Sequence, residues 1–388
     1  MVDQHPRATV LVFGAGVIGG QVCDLLARMD DRFRIVVAAR NAARLNERAN
    51  LTITSALCLG HQPDVVAVPC DVTQTDRCAA LIAQVDPDIV VNATSVQTFW
   101  RISQLPGECH KRLEQAKIGP WLPNHLATAR ALMRAMRAAG SSVPVVNASF
   151  PDAVNPALAT VGLAPLVGGG NIANIVPTLT RAAARQLGRE RTDLDLVFVA
   201  HHVACNAISS HGSPGTAPYW LRVMDGDREV TDELDHTALF ASVTGEFRRV
   251  RGITGQIVAA SGVAAVVSAL ARADGDRLMH VPGPNALPGG YPARVGRGRV
   301  ELALPEGLDR DDAIRVNLEG QTVEGITEIR PDGTIVYGEP EMAVLREAFG
   351  YDCARMHVDE VDDWVGDLQA RYTAYAARHG VPVEGARA

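Results

Sequence analysis

The chain has 388 residues, more than one hydrophobic core usually organises, which predicts two domains. Hydrophobic residues at 47% and charged residues at 21% exclude a disordered chain, and aromatics at 5% argue against a base-stacking platform. The formal charge of −7 argues against nucleic-acid partners, because phosphate binding normally uses a clustered basic surface.

The opening MVDQHPR runs into TVLVF without an apolar leader, and the most apolar stretch, Val258 to Ala271, is too short for a bilayer. A buried helix and no membrane partner are expected. The seven cysteines form no CxxC pair, which suits reduced thiols and a cytoplasmic location. Of 37 basic residues only Lys111 and Lys117 are lysine. Lys111 reads as part of a solvated helix face, whereas a retained lysine at 117 invites a role that a guanidinium does not fill.

Along the chain, β-branched runs alternate with helical stretches: TVLVF, VIGGQVCDLLARM, RIVVAA, VVAVP, DIVVNAT and PVVNAS. That pattern predicts βαβ units and a doubly wound parallel sheet, a Rossmann-type α/β domain over residues 1–150. The helix Asn124 to Ala139 places Leu126, Ala129, Leu132, Met133 and Met136 on one stripe and arginines on the other. After Asn155 the texture changes to a glycine-rich turn, a helix, the strand-like LDLVFVAHH, a long helix and short strands. A C-terminal α+β domain for substrate binding, catalysis and oligomerisation is expected over 151–388.

Gly14-Ala15-Gly16-Val17-Ile18-Gly19 follows the first strand and enters a helix near Val17. In that context the first glycine makes the tight turn, the second lets a pyrophosphate approach the backbone, and the third permits close helix packing. The helix amino terminus offers N–H groups and a positive dipole end to phosphates. The second strand ends in Ala39-Arg40-Asn41, without the carboxylate that would hold a ribose 2′-hydroxyl. This predicts NADP(H) rather than NAD, with Arg40 as the 2′-phosphate clamp and Arg44 as a second; an ordinary surface arginine is the plain alternative. Asp71 and Val72 should border the adenine. Asn92, Ala93, Thr94 and Ser95 should run along the cofactor at a strand end.

Two resemblances cover most of the chain. VLVFGAGVIGG, the AAR ending and DIVVNATS resemble the NADP-binding domain of saccharopine-dehydrogenase-like proteins. The order of later features is similar to the lactate/malate dehydrogenase superfamily: a loop Ser95 to Gly119, the helix from Asn124, VVNASFPD, GGGNIAN, SSHGS and GGYPARV. By that resemblance His211 matches the proton-donating histidine, and Lys117 takes the place of an arginine that polarises the substrate carbonyl. Asn147 matches an asparagine contacting nicotinamide or substrate. Asn174 stands where the family has the aspartate that orients the histidine, and Pro177 where it has a carboxylate-gripping arginine. A symmetric homodimer using helices such as Gly252 to Ala273 is also implied.

Independently of resemblance, a nicotinamide enzyme needs a donor for the atom that receives negative charge, and histidine is the commonest choice. His211 sits in a Ser/Gly/Pro run, while His201 and His202 follow a strand and read as strand-end or core groups. A zinc set of His201, His202, Cys205 and His211 matches no standard ligand spacing. No tyrosine is followed by lysine four residues on, and no GxSxG, Walker loop or HExxH occurs. Gly168-Gly169-Gly170-Asn171 is either a packing turn or a source of N–H donors. Arg294 to Val300 reads as a strand with solvated arginines.

These features predict an NADP-dependent oxidoreductase acting on a small-molecule substrate, with His211 as proton donor. Alternatives are a saccharopine- or opine-type imine reductase, a dinucleotide-dependent lyase or epimerase, and a non-catalytic NADP sensor.

Overall fold

The computed structural model describes residues 7–29 and 32–381. Its first layer is a parallel sheet of β1 (Ala8–Phe13), β2 (Phe33–Ala39), β3 (Asp64–Pro69), β4 (Ile89–Asn92), β5 (Val145–Asn147) and β6 (Val167–Gly168), ordered β3-β2-β1-β4-β5-β6. The crossovers between the first four strands are α1 (Val17–Leu26), α2 (Ala42–Cys58) and α3 (Thr75–Val85). Strands covered on both faces need apolar residues at every position. In β1, Val10 and Val12 pack in one core with Val22 and Leu26 of α1, while Leu11 and Phe13 pack in the other with Leu81 and Ile82 of α3. Chain order reverses between β1 and β4, which opens a crevice at the carboxyl ends of the strands.

Between β4 and β5 run α4 (Gly107–Glu114) and α5 (Pro123–Ala138). Leu132 and Met136 of α5 face the sheet, as the predicted stripe requires, but Leu126 and Ala129 turn to a different core. The opposite face is not uniformly solvated either. Arg130 is only 4% exposed, held by Asp359 at 2.7 Å and Asp362 at 3.1 Å. The parallel sheet also continues past residue 150: α6 (Pro151–Ala159) leads to β6, whose Val167 pairs with Val146. The division expected at 150 therefore moves to about Gly168.

The second layer begins with α7 (Ile172–Leu187), β7 (Leu194–Ala200), α8 (His202–His211), β8 (Tyr219–Asp225) and β9 (Arg228–Glu229). It continues through α9 (His236–Ser242), α10 (Gly252–Gly255), α11 (Ile257–Leu270), β10 (Arg277–Pro282), β11 (Gly290–Gly296), β12 (Arg299–Leu302) and α12 (Arg310–Val323). Its antiparallel sheet has the order β10-β11-β7-β8-β9, with β12 on β11. Arg294, Arg297 and Arg299 are exposed on the β11–β12 hairpin. With α10 included, the helical run Gly252–Leu270 has the length and apolarity of a membrane span, longer than the sequence suggested. Within the fold, Ala260, Val263, Ala264 and Val267 lie in the core shared with α1 and the parallel sheet. On the outer side of this run Ile253 and Ile257 are exposed.

The last segment comprises β13 (Ile326–Ile329), β14 (Thr334–Tyr337), α13 (Glu339–Phe349), β15 (Arg355–His357) and α14 (Val361–Arg378). It does not extend the second layer. Instead Tyr372 and Leu368 of α14 join Trp121, Leu122 and Leu126 in one core, so the chain end returns to the first domain.

Candidate functional site

The crevice is a cavity of about 1290 Å³, room for a dinucleotide and a small substrate together. At one end it is bounded by Phe13 and Gly14 after β1, Ala39, Arg40, Asn41 and Arg44 at β2, Asp71 and Val72 after β3, and Ala93, Thr94 and Ser95 after β4. Every position expected to touch the cofactor therefore lies on this wall, except Asn92, which is buried, and Asn147, treated below. The three glycines divide their work as their surroundings dictate. Gly14 has φ +104, and a Cβ there would sit 2.5 Å from the Ala93 carbonyl oxygen. A Cβ on Gly19 would sit 1.9 Å from the Gly14 carbonyl oxygen, whereas one on Gly16 would meet nothing within 4 Å. Gly16 thus leaves open space above the amino terminus of α1, where no side chain caps the helix. An uncapped terminus facing a cavity is an anion seat, and a dinucleotide pyrophosphate fits it.

Local hydrogen bonds fix the remaining loops. Asn41 caps α2 by accepting from the Arg44 N–H at 3.1 Å. Asp71 accepts from the Thr73 N–H at 3.0 Å, and Asn92 Oδ1 accepts from the Thr94 hydroxyl at 2.6 Å.

At the other end the wall is made by Lys117, His125, Ser149, Phe150, Asn171, His202, Asn206, His211 and Glu324 among others. His202 opens α8, immediately after β7. Its Nδ1 lies 2.8 Å from Glu324 Oε2, a residue 2% exposed just beyond α12. The His202 N–H donates to Asp152 Oδ1 at 3.0 Å, and Asp152 Oδ2 accepts from the Asn171 amide. Burial opposes charge on His202, but Glu324 outweighs it and the imidazole pKa is raised. Burial opposes charge on Glu324 as well; His202, with His201 beside it, holds the carboxyl down to about 2. The two form a buried ion pair whose Nδ1 side is committed, so Nε2 is the ring nitrogen available to the cavity.

A second imidazole behaves oppositely. His125 Nδ1 is 2.9 Å from the Ser149 hydroxyl; burial, and then the charge of His202, lower its pKa to about 4. Phe150 stands between the rings, with centroids 6.0 Å from His125 and 5.5 Å from His202. It has φ 46 and ψ 56, and Lys117 and Asn171 have φ 53 and 47. Left-handed conformations at non-glycine residues cost about 1–3 kcal/mol each and gather at functional sites. All three of these line the cavity.

The catalytic residues expected from sequence fare unevenly. His211 lines the cavity, yet it is the last residue of α8 rather than part of a loop, because Gly212 at φ +71 ends the helix there. It is exposed. Asn174 does not orient it: its amide donates to the Val258 carbonyl and accepts from the Asn171 N–H, each at 3.1 Å, and it is off the cavity wall. Asn147 is also off the wall. It is fully buried, bonded to Asn92 at 3.0 Å and Asn155 at 2.9 Å, and so ties β4, β5 and α6 together. Pro177 is exposed. Lys117 is on the wall, with Nζ on Glu341 at 2.8 Å and on the Val323 carbonyl at 2.5 Å. The cavity wall does carry an imidazole–carboxylate pair, His202 and Glu324, which sequence reasoning did not single out. Gly168 and Gly169 serve packing, since a Cβ on them would meet Pro151 at 2.2 Å and Val263 at 2.6 Å.

Comparison with known proteins gives two results and one blank. Residues 10–104 match the family model described as the saccharopine dehydrogenase NADP-binding domain. Among solved structures, malate dehydrogenase from Plasmodium falciparum has a TM-score of 0.54 at 11% identity, covering 82% of this chain and 96% of that one. Lactate dehydrogenase from Eimeria maxima, solved with NADH and oxamate, also scores 0.54 at 12% identity, covering 84% and 93%. Malate dehydrogenase from Aeropyrum pernix scores 0.53 at 16% identity, covering 81% and 96%. No curated protein matches the chain by sequence search. The chain thus has the lactate/malate dehydrogenase fold, an α/β Rossmann-type domain followed by a C-terminal domain. Residues 10–104, within its first domain, are similar to the NADP-binding domain of saccharopine dehydrogenase.

Proposed function

We propose that the protein is an NADP(H)-dependent oxidoreductase acting at a C=O or C=N carbon of a small polar metabolite. The observation that carries the reading is the His202–Glu324 pair, 2.8 Å apart, on the wall of the cavity that also holds the Gly14–Gly19 turn. NADPH, when bound, supplies the hydride. Glu324 favours the protonated form of His202 and fixes Nδ1, so Nε2 can donate a proton to the oxygen or nitrogen that becomes negative. In the reverse direction the same nitrogen receives it. Phe150 and the buried His125 exclude water around the ring.

Preference for the 2′-phosphate rests on Arg40 and Arg44 at the end of β2, with no carboxylate among Ala39, Arg40 and Asn41, and is supported by the likeness of residues 10–104 to an NADP-binding domain. The test is NADPH oxidation over a panel of aldehydes, ketones and cyclic imines. His202→Asn is expected to cut turnover about 10²–10⁴-fold with NADPH affinity nearly intact. Unchanged turnover would remove His202 from the chemistry, and product without net NADPH consumption would favour a lyase or epimerase.

A further inference from the structure

Another group on the cavity wall lies away from His202. Arg249 donates from Nη1 to the Asn174 carbonyl at 3.2 Å, and Arg251 donates from Nη2 to Ser210 Oγ at 2.7 Å. Both partners are neutral, and among the described residues neither guanidinium has a carboxylate within ion-pair distance. Arg130 shows the contrast, with two aspartates around one buried guanidinium. Arg249 is half-buried; burial, and then the charge of Arg251, lower its pKa. Arg251 is exposed; a half-buried guanidinium that feels a second positive charge and has no counter-ion is favoured by an anion joining it.

Their place in the fold sets the length of what joins them. Ser210 follows His202 on α8 by a rise of about 12 Å, at 1.5 Å per residue. Asn174 is one turn along α7 from Asn171, whose side chain shares Asp152 with the His202 N–H. The Arg251 guanidinium, held at Ser210, is therefore displaced along α8 from the proton donor.

We propose that Arg249 and Arg251 bind a terminal anion of the substrate, carboxylate or phosphate, several bonds from the carbon that reacts at His202. This rests on the oxidoreductase reading and adds a substrate class to it. A 2-oxo acid, with its carboxylate beside the reacting carbon, is too short to reach both ends. A six-carbon chain with a hydrogen bond at each end spans the gap.

The experiment measures binding of glycolate, 4-hydroxybutanoate, 6-hydroxyhexanoate and the uncharged 6-hydroxyhexanamide to the NADP-saturated protein by ligand-observed NMR. The six-carbon acid is expected to bind about tenfold or more tightly than glycolate and than its own amide. Arg251→Gln and the double variant Arg249→Met/Arg251→Gln should abolish that preference, with Arg251→Lys restoring part of it, while melting temperature certifies the fold. No binding of the six-carbon acid, tightest binding of glycolate, or a preference indifferent to the arginines would overturn the proposal. So would an equal loss of NADPH affinity in Arg251→Gln, which would assign the pair to the cofactor phosphates. Because binding is read rather than hydride transfer, failure here leaves the His202 test standing, and failure there leaves this one standing.

Discussion

His125 and His202 flank one phenylalanine in one cavity, yet their protonation is driven in opposite directions. Both are buried, so desolvation acts on each in the same sense. His125 has only the Ser149 hydroxyl on its Nδ1 and is lowered to about 4, whereas His202 has the Glu324 carboxylate and is raised. A single acidic partner decides which ring can serve as an acid near neutrality.

Removing that partner should erase the difference. Glu324→Gln is expected to lower turnover about 10²–10³-fold and to lower the His202 pKa, because burial is then opposed only by the Asp152 charge. An NMR titration of the His202 ring that is unchanged from wild type would break the comparison.

The pH dependence of stability tests the same pair. His125 has a folded pKa below its ordinary 6.5, so the unfolded chain binds more protons as the pH falls and stability drops between pH 6.5 and 4. The span corresponds to about 3 kcal/mol. Urea unfolding across that range should show a shallower loss in His125→Asn; an unaltered slope would mean that the ring is already charged. His280, also lowered to about 4 by burial, retains its share in the variant. The Glu324 contribution runs the same way at lower pH: present above 4.5 and lost as the pH falls towards 2. His202, raised, contributes below 6.5 and loses its contribution as the pH climbs through its folded value.

The glycine turn offers a sharper contrast at smaller scale. Gly19→Ala forces a Cβ onto the Gly14 carbonyl and should cost about 1–3 kcal/mol of stability. Gly16→Val enters open space and should spare the melting temperature while weakening NADPH; equal melting losses would refute the division of roles. Smallest is Arg40→Ala, expected to weaken NADPH about tenfold and NADH hardly at all by calorimetry. Equal losses for both cofactors would remove the 2′-phosphate preference.

The cofactor end was legible because its parts are close in sequence and rest on the backbone. A strand, a glycine turn and a helix start dictate one another, and β2, β3 and β4 carry their loop residues to the same edge. The substrate end is assembled from distant side chains. Glu324 lies 122 residues from His202, and no local pattern links them. SSHGS drew attention to His211, although Gly212 makes it a helix end. The signal available for His202 was its place between a strand and a helix. Asn147 was correctly placed at the end of a strand, but the pleat turns its amide inward to Asn92 and Asn155.

The return of the chain end joins parts of the molecule that lie far apart in sequence. Residues up to 168 contain the whole parallel sheet and the glycine turn, whereas Glu324 lies beyond α12. Val323 and Glu341 fasten Lys117, and α14 packs on α5. The wall of one cavity thus depends on segments from both ends of the described chain.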